Sequence, residues 1–297
     1  MKKRIFKGAA TALVTPMKED GSVNFERLET LVDEQITGGI DALVICGTTG
    51  EKSTLNYEEH LKVIEVAAKA CGGRVPIIAG TGSNDTVYSV GLCRDAEQVG
   101  ADAFLMVTPY YNKTSQAGLV AHFHYIADRV NKPIMLYNVP SRTGVAIKPE
   151  TYQKIAEHPN IVATKEANGD LSSVAKTRYL CGDSLDFYSG NDDQVIPILS
   201  LGGLGVISVL SNLAPGAVHT LCAEYFAGNV QRAAELQIRY IGLINALFSD
   251  VNPIPVKAAM NLMGLEAGPC RLPLVKMSDA GLANLKEQLQ KSGLLTG

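Results

Sequence analysis

Short uninterrupted runs of apolar residues alternate along the chain with longer segments in which apolar residues recur every three or four positions. Eight of these runs predict β-strands, at residues 9–15, 42–46, 76–81, 103–108, 134–139, 161–166, 186–189 and 205–209. Uninterrupted runs are typical of parallel strands that are covered on both faces. The segments between them have helical periodicity, as at residues 25–36 and 57–70, and plausible N-caps are Asn24, Asn56, Asn84, Ser115 and Asp170.

Alternation of strands and helices repeated eight times fits either a doubly wound sheet or a closed barrel. A doubly wound nucleotide-binding sheet favours a G-x-G-x-x-G segment after the first strand, and the sequence has none there. We therefore predict an α/β fold, a TIM (β/α)8 barrel. Beyond the last strand the pattern predicts only helices, at residues 214–228, 230–248, 254–263 and 278–289. A barrel takes roughly 250 residues, so one of these helices closes the barrel and the others are surplus; we place the catalytic barrel domain over 1–228 and a C-terminal helical extension over 229–297.

Composition and charge exclude several classes of protein. The 297 residues carry 27 Lys and Arg against 30 Asp and Glu, a net charge of −3, which argues against a nucleic-acid partner. No apolar run is long enough to cross a membrane, so no membrane association is expected. The basic start of the chain is followed by an apolar stretch that Thr11, Thr15 and Pro16 interrupt, which predicts a strand rather than a signal peptide. The six cysteines form no C-x-x-C pair, so we predict reduced thiols, a cytoplasmic protein and no metal site.

Polar residues follow the predicted strands closely, and the ends of barrel strands are where barrel enzymes keep their chemistry. Polar strand ends are also ordinary loops. The accumulation of hydroxyl groups, tyrosines and one lysine nevertheless indicates a site. The candidates are Thr48, Thr49, Tyr110, Tyr111, Tyr137, Arg142, Lys165, Gly190 and Asn191.

Lys165 stands apart because it ends an apolar strand run, whereas the other lysines lie in loops or on helix faces. A charge in a strand that is buried on both sides is expensive unless it is paired or neutralised. One interpretation is a strand-end lysine that reaches solvent or pairs with Glu166. The other is a nucleophilic amine that forms a Schiff base with a carbonyl substrate, since burial favours the neutral amine that this chemistry needs.

Neighbouring residues could support Schiff-base chemistry. Tyr137 ends the preceding strand, and adjacent strands are about 4.8 Å apart, so its hydroxyl could serve as the proton shuttle for Lys165. It could equally be a core tyrosine. Thr48 and Thr49 offer donors for a carboxylate, or are simple turn residues. Arg142, placed in a loop after Tyr137, could hold a second carboxylate or be solvated.

Several motifs together resemble the dihydrodipicolinate synthase family over essentially the whole chain. They are residues 47–51 (GTTGE), 107–112 (VTPYYN), 137–144 (YNVPSRTG), 164–167 (TKEA), 205–208 (GVIS) and 252–257 (NPIPVK). The resemblance implies a barrel with a C-terminal helical extension and a class I aldolase-type lyase. In this reaction pyruvate condenses with L-aspartate 4-semialdehyde, in lysine and diaminopimelate biosynthesis. It implies no metal or organic cofactor, because the lysine itself is the electron sink.

The resemblance also assigns roles. Lys165 would form the Schiff base, and Tyr137, Thr48 and Tyr111 would form a proton relay, with Tyr111 donated by a neighbouring subunit of a homotetramer, a dimer of dimers. Thr48 and Thr49 would bind the pyruvate carboxylate and Arg142 the semialdehyde carboxylate. Substrate contacts are also expected at Gly190, Asn191 and the carbonyl of Ile207, although Asn191 stands where the family often has aspartate.

A lysine-binding effector site of the family is matched only in part. His60, Asn84 and Tyr110 agree with it, whereas Tyr57 and Tyr88 replace a histidine and a glutamate. Without that carboxylate, we predict weak or absent feedback inhibition by lysine.

Two other functions compete. N-acetylneuraminate lyase and keto-deoxy-sugar-acid aldolases share the lysine, the tyrosine and the residue 47–51 loop, but generally lack the Ser-Arg-Thr-Gly segment that carries Arg142. A catalytically inactive homologue that senses a metabolite is the second alternative, and the intact set of candidate catalytic residues argues against it.

Overall fold

Eight parallel strands close into a barrel in the computed structural model, which describes residues 4–295. The strands are β1 (Gly8–Ala12), β2 (Ala42–Ile45), β3 (Ile77–Gly80), β4 (Ala103–Val107), β5 (Ile134–Asn138), β6 (Ile161–Glu166), β7 (Asp186–Ser189) and β8 (Gly205–Ser208). Each strand pairs with its neighbours in sequence order, and β1 pairs with β8. The barrel prediction is confirmed and the doubly wound alternative is wrong. Most strands end one to three residues earlier than predicted, since the last apolar or hydroxyl residues already belong to the loops above the barrel.

Helices follow the strands in the expected order. They are α1 (Phe25–Thr37), α2 (Tyr57–Cys71), α3 (Thr86–Gln98), α4 (Gln116–Ala127), α5 (Pro140–Thr143), α6 (Pro149–Ile155), α7 (Leu171–Cys181), α8 (Val195–Ser200), α9 (Pro215–Phe226), α10 (Val230–Leu247), α11 (Ile254–Leu262) and α12 (Asp279–Ser292). Short 3₁₀ turns lie at Lys52–Thr54, Gly182–Ser184, Asp192–Gln194 and Leu210–Asn212.

Four of the predicted N-caps are confirmed. Asn24, Asn56, Ser115 and Asp170 each accept a hydrogen bond from a backbone N–H of the first helical turn. The prediction for Asn84 is wrong, because the next residue, Asp85, caps α3 by accepting from the Tyr88 N–H at 2.9 Å.

The barrel closes where the two ends of the sheet meet. Gly8 of β1 lies opposite Gly205 of β8, and a Cβ atom on Gly205 would lie only 1.7 Å from the Gly8 carbonyl oxygen. Both residues also have positive φ, +119° and +156°. Only glycine fits at position 205, because the backbone of Gly8 approaches it too closely for any side chain, and a Cβ on Gly8 would meet the Asp41 carboxylate at 2.1 Å.

Two apolar layers hold the fold together. The inner cluster fills the barrel with side chains such as Ala10, Val44, Ile78 and Met135. The larger outer cluster lies between the strands and the helices around them. This division leaves the carboxyl ends of the strands as the place where polar groups gather above a filled barrel.

Helix α9 packs against β1 and completes the ring, and α10 packs against both α9 and α12. The four predicted helices after β8 are confirmed to within a few residues. A boundary between barrel and extension at residue 228 stays a prediction. The extension is not remote from the strand ends, since Asn252 and Lys257 contact residues of the loop after β2.

All six cysteines are free thiols, and five of them are buried, as predicted. Within residues 4–295, none of the helices combines the length and the apolar character that a membrane crossing requires.

Candidate active site

Lys165 and Tyr137 occupy paired positions on neighbouring strands. The Cα of Lys165 in β6 lies opposite that of Tyr137 in β5, so both side chains point into the barrel. Lys165 is 6% exposed, and its Nζ atom lies 4.4 Å from the centre of the Tyr137 ring. Among residues 4–295, no ion pair includes Lys165. The lysine is therefore buried beside a tyrosine, with no carboxylate bound to its amine.

Glu166 faces the opposite side of the sheet from Lys165. Its carboxylate accepts hydrogen bonds from the Tyr152 hydroxyl at 2.8 Å and from the Asn138 side-chain amide at 2.9 Å. Burial raises the pKa of Glu166 to about 7. The interpretation that Lys165 pairs with Glu166 is wrong, because successive residues of a strand point to opposite faces.

A cavity of about 210 Å³ opens at the carboxyl ends of β2 to β5. Its lining combines hydroxyl and cationic groups with apolar side chains, and consists of Gly47, Thr48, Lys52, Ser53, Gly80, Leu105, Val107, Tyr110, Tyr137, Val139, Arg142 and Thr143. Four predicted site residues, Thr48, Tyr110, Tyr137 and Arg142, are thus brought together. Lys165 is not a lining residue itself, but its amine reaches the ring of Tyr137, which is. A small polar cavity next to a buried amine suits a small carbonyl substrate.

The loop after β2 presents Thr48 to this cavity and turns Thr49 away from it. Thr49 is 2% exposed, and its hydroxyl accepts a hydrogen bond from the Asn252 side chain at 3.0 Å. The loop ends at Glu51, which is buried and has a φ of +54°. Thr48 therefore lines the cavity, whereas the Thr49 side chain ties the loop to the C-terminal extension.

Lys52 was not predicted as a site residue. It lines the cavity, and its amine donates to the Gly82 carbonyl oxygen. Burial lowers the pKa of Lys52 to about 8, an effect that the nearby Cys46 and Cys93 partly oppose. Its position directly after the GTTGE loop was the signal in the sequence, because that loop brings the whole segment to the strand ends.

Arg142 lies on a short helix, α5, rather than in the predicted loop. Pro140 occupies the first helical position and Gly144 ends the helix with a φ of +71°, a pattern that favours a single helical turn. Arg142 is exposed and lines the cavity, so its guanidinium stands at the mouth.

Gly190 lies against the lysine. A Cβ atom at this position would be 2.8 Å from the Ala167 Cβ and 3.1 Å from the Lys165 Cε. The next residue, Asn191, uses its side chain locally, donating to Gln194 at 3.4 Å. Gly190 therefore leaves room for the lysine side chain, and Asn191 stabilises the turn that follows β7.

Asp192 and Ile207 lie on the same side of the barrel. One Asp192 oxygen accepts from the N–H groups of Val209 and Leu210, both at 2.9 Å, and the other has no hydrogen-bond partner among the described residues. Burial raises the pKa of Asp192, and the charge of Lys165 acts against that rise. Ile207 belongs to the inner apolar cluster, and a contact between its carbonyl and the substrate stays a prediction.

Tyr111 points away from its own site. It is 92% exposed, has a φ of +70° and does not line the cavity, unlike its neighbour Tyr110. The Tyr111 side chain therefore contributes nothing to the lining of the cavity in its own chain. Its participation in a relay therefore requires a second copy of the protein.

The effector candidates are divided between two places. Tyr110 lines the cavity described above, whereas Asn84 lines a second one of about 490 Å³ together with Asn112 and His122. His60 is buried, and burial, followed by the charge of Lys52, lowers its pKa to about 4.

The residues that replace the family's charged groups are engaged with each other. The Tyr57 hydroxyl donates to the Asp95 carboxylate, and the Tyr57 and Tyr88 rings meet edge-on with centroids 5.7 Å apart.

A closed (β/α)8 barrel with a polar cavity and a buried lysine at its strand ends defines a TIM-barrel protein with an enzyme-type site. The model of the dihydrodipicolinate synthetase family matches residues 5–292. The chain belongs to this family.

Similar proteins are numerous. A 4-hydroxy-tetrahydrodipicolinate synthase of Clostridium perfringens is 54% identical over 98% of this chain and 100% of its own. A crystal structure of dihydrodipicolinate synthase from Thermotoga maritima superposes with a TM-score of 0.96 at 44% identity, covering 98% of this chain and 100% of the other. The dihydrodipicolinate synthase of Acinetobacter baumannii, solved in complex with pyruvate, gives 0.96 at 42% identity over the same shares.

Proposed function

We propose that this protein is a 4-hydroxy-tetrahydrodipicolinate synthase that condenses pyruvate with L-aspartate 4-semialdehyde. The observation that carries the proposal is the placement of Lys165, a buried amine without a carboxylate partner, 4.4 Å from the Tyr137 ring beside the cavity. Relatives with this activity are 51–54% identical over nearly the full chain.

The proposed reaction begins at the Lys165 amine. The nitrogen adds to the C2 carbonyl of pyruvate, and the carbinolamine loses its oxygen as water to give an imine. Loss of a proton from the methyl carbon gives an enamine, which attacks the aldehyde carbon of the semialdehyde. The amino group of the second substrate then displaces Lys165 as the ring closes, so that the free amine is regenerated.

Proton transfer at each step needs a hydroxyl within reach of the reacting atoms. We assign this role to Tyr137 and Thr48, which share the cavity lining, and to Tyr111 of a second subunit. The pyruvate carboxylate is held by the Thr48 hydroxyl and by the backbone N–H groups of Thr48 and Thr49, and the semialdehyde carboxylate by Arg142 at the mouth, where a guanidinium can bind it through two hydrogen bonds.

Borohydride trapping tests the proposed nucleophile. Incubation with pyruvate and borohydride is expected to add one reduced pyruvate unit to the intact protein, and Lys165→Ala is expected to abolish the adduct. Absence of the adduct from the unmodified enzyme would favour the inactive sensor.

A comparison of substrates separates the rival lyases. Pyruvate with aspartate semialdehyde is expected to turn over, whereas N-acetylneuraminate is not, because the Arg142 segment is not typical of that enzyme. Turnover of N-acetylneuraminate alone would refute the proposal.

We also propose a homotetramer, a dimer of dimers, in which one subunit donates Tyr111 to the site of another. The exposed and strained position of Tyr111 supports this assignment. Mixing inactive Lys165→Ala and Tyr111→Phe subunits tests it, because a mixed dimer has one site with both residues intact. Recovery of activity on mixing is expected, and sedimentation analysis gives the number of subunits.

Weak or absent inhibition by lysine is proposed for the same enzyme. Tyr88 supplies no carboxylate for the effector's ammonium, and Lys52 already brings an amine into the cavity that Tyr110 lines. Inhibition by micromolar lysine in an activity assay would refute this proposal.

A cytoplasmic location fits the six free thiols.

A further inference from the structure

A buried ion pair joins the loop after β2 to the C-terminal extension. The Lys257 amine of α11 lies 2.7 Å from a carboxylate oxygen of Glu51, and the two side chains are only 2% and 1% exposed. The same amine donates to the carbonyl oxygens of Thr15 at 3.1 Å and Pro269 at 2.6 Å. The second Glu51 oxygen accepts a hydrogen bond from the backbone N–H of Arg271 at 2.9 Å. All three hydrogen bonds of the ammonium group are thus used, in a place that is almost closed to solvent.

Two further hydrogen bonds hold the same loop. The Asn252 side chain donates to the Thr49 hydroxyl at 3.0 Å, and the Thr15 hydroxyl donates to the Gly50 carbonyl oxygen at 2.7 Å. Three successive residues, Thr49 to Glu51, are therefore fixed from outside the loop. Thr48, the residue before them, is the one whose side chain lines the cavity.

The free-energy cost of burying the Glu51–Lys257 ion pair indicates that the pair does more than stabilise the fold. Burying two charges costs several kcal/mol each, and a well-packed apolar pair is often as stable as the ion pair it replaces. Glu51 also has a left-handed backbone, with a φ of +54°, which is unfavourable for a residue with a side chain. A fixed, hydrogen-bonded carboxylate holds the loop in this conformation, whereas apolar contacts are not directional.

We propose that Lys257 and Asn252 are positioning residues of the active site, which hold the loop after β2 so that Thr48 faces pyruvate. The proposal rests on the proposed function, since it takes the role of Thr48 from there. It gives the C-terminal extension a part in the reaction that does not depend on contacts between subunits.

Three variants separate a positioning role from a purely stabilising one. Lys257→Met leaves the Glu51 carboxylate buried without a cation, so it lowers stability as well as loosening the loop. Glu51→Gln/Lys257→Met removes both charges and recovers part of that stability, but it does not restore the link to Thr15 and Pro269. Asn252→Ala removes only the donor to Thr49. Lys291→Met is the matched control, because Lys291 forms an ion pair with Glu287 on the exposed face of the extension, at 2.7 Å.

Steady-state kinetics with both substrates gives the deciding measurement, at a temperature where circular dichroism shows every variant folded. The pyruvate KM is expected to rise on the order of tenfold in the double variant and in Asn252→Ala, since a displacement of a binding group by about 1 Å can cost up to about 10²-fold. The rate of borohydride trapping at low pyruvate falls in parallel. The semialdehyde KM, which depends on Arg142, does not change.

A purely structural role predicts a different pattern. It lowers the amount of folded enzyme, and so kcat, while both KM values stay at those of the unmodified enzyme. A folded double variant with an unchanged pyruvate KM would overturn the proposal, as would an equal rise of both KM values. If the unmodified enzyme neither forms an adduct nor turns over these substrates, the proposed function fails instead, so the two failures are distinguishable.

Discussion

The Lys165 amine and the Tyr137 ring are neighbours across two strands, 4.4 Å apart, and this contact holds the amine against the wall of the cavity. An ammonium near an aromatic face is attracted by the ring. The tyrosine therefore has two separable parts, a ring that orients the lysine and a hydroxyl that can move protons.

Tyr137→Phe keeps the ring and removes the hydroxyl. We expect the pyruvate adduct to form still, but kcat to fall by about 10²–10⁴-fold, the usual loss when a general acid or base is removed. Tyr188→Phe is the control, since Tyr188 is the other strand neighbour of Lys165 and donates its hydroxyl to the Phe6 carbonyl. A Tyr137→Phe enzyme with normal kcat would remove the hydroxyl from the mechanism.

Arg142→Ala is expected to raise the semialdehyde KM by about 10- to 100-fold, since a bidentate contact with a carboxylate contributes a few kcal/mol. The pyruvate KM should stay within twofold. Arg142→Lys should recover only part of the loss, because an ammonium cannot bind both carboxylate oxygens in the same geometry. A selective effect on pyruvate instead would reverse the assignment of the two carboxylate sites.

Gly190→Ala tests the space around the lysine. The new methyl group would lie 2.8 Å from the Ala167 Cβ and 3.1 Å from the Lys165 Cε, so it crowds the lysine side chain between these two contacts. We expect slower adduct formation with pyruvate. Adding Ala167→Gly to the same chain removes the shorter of the two contacts and should restore part of the rate, whereas a normal rate of adduct formation in Gly190→Ala itself would show that the lysine is not crowded at this position.

Lys52 should make substrate binding sensitive to pH. Because burial lowers the pKa of Lys52 to about 8, its amine is charged below that pH and neutral above it. The cavity thus loses a positive charge as the pH rises through 8, and the KM values for the two anionic substrates should rise. Lys52→Met should have high KM values at every pH, and Lys52→Arg should move the rise to higher pH. Identical pH profiles in all three proteins would contradict this role.

Glu166 should make stability depend on pH. Burial raises its pKa to about 7 in the folded protein from the ordinary value of 4.5. The folded state therefore binds more protons than the unfolded state between these values, and this group's contribution to stability is lost as the pH rises from about 4.5 through 7. Glu166→Gln is neutral at every pH. Its unfolding free energy, measured in urea titrations from pH 5 to 8, should therefore fall less steeply with pH than that of the unmodified protein, by an amount that corresponds to about one bound proton. An unchanged slope would show that Glu166 does not titrate in this range.

The barrel could be predicted because each strand is a separate apolar run, which can be recognised from its own residues alone. The strand limits could not, since Thr15 and Val139 are as compatible with a strand as with the loop that uses them. Lys165 could be identified because a charge in an apolar run is visible locally. Its orientation relative to Glu166 follows from the alternation of a strand, but only once the face of one residue is known.

Contacts between segments that are distant along the chain could not be predicted from the sequence. Lys52 belongs to a predicted loop, and its half-buried position depends on how the loop after β2 folds against the loop after β3. Lys257 gave no signal beyond its motif, because its partner Glu51 is far away in sequence. Asn84 was expected to cap α3, and the helix begins one residue later because Asp85 competes for the same role.

The pairing of Glu51 with Lys257 also has a consequence for biosynthesis, because the two residues are 206 positions apart. The ribosome completes all eight strands before it reaches α11. A nascent chain can therefore close its barrel while the Glu51 carboxylate still lacks its cation. If Lys257 and Asn252 hold the loop as proposed above, the loop that carries Thr48 reaches its final form after the extension docks, and catalytic competence follows closure of the barrel.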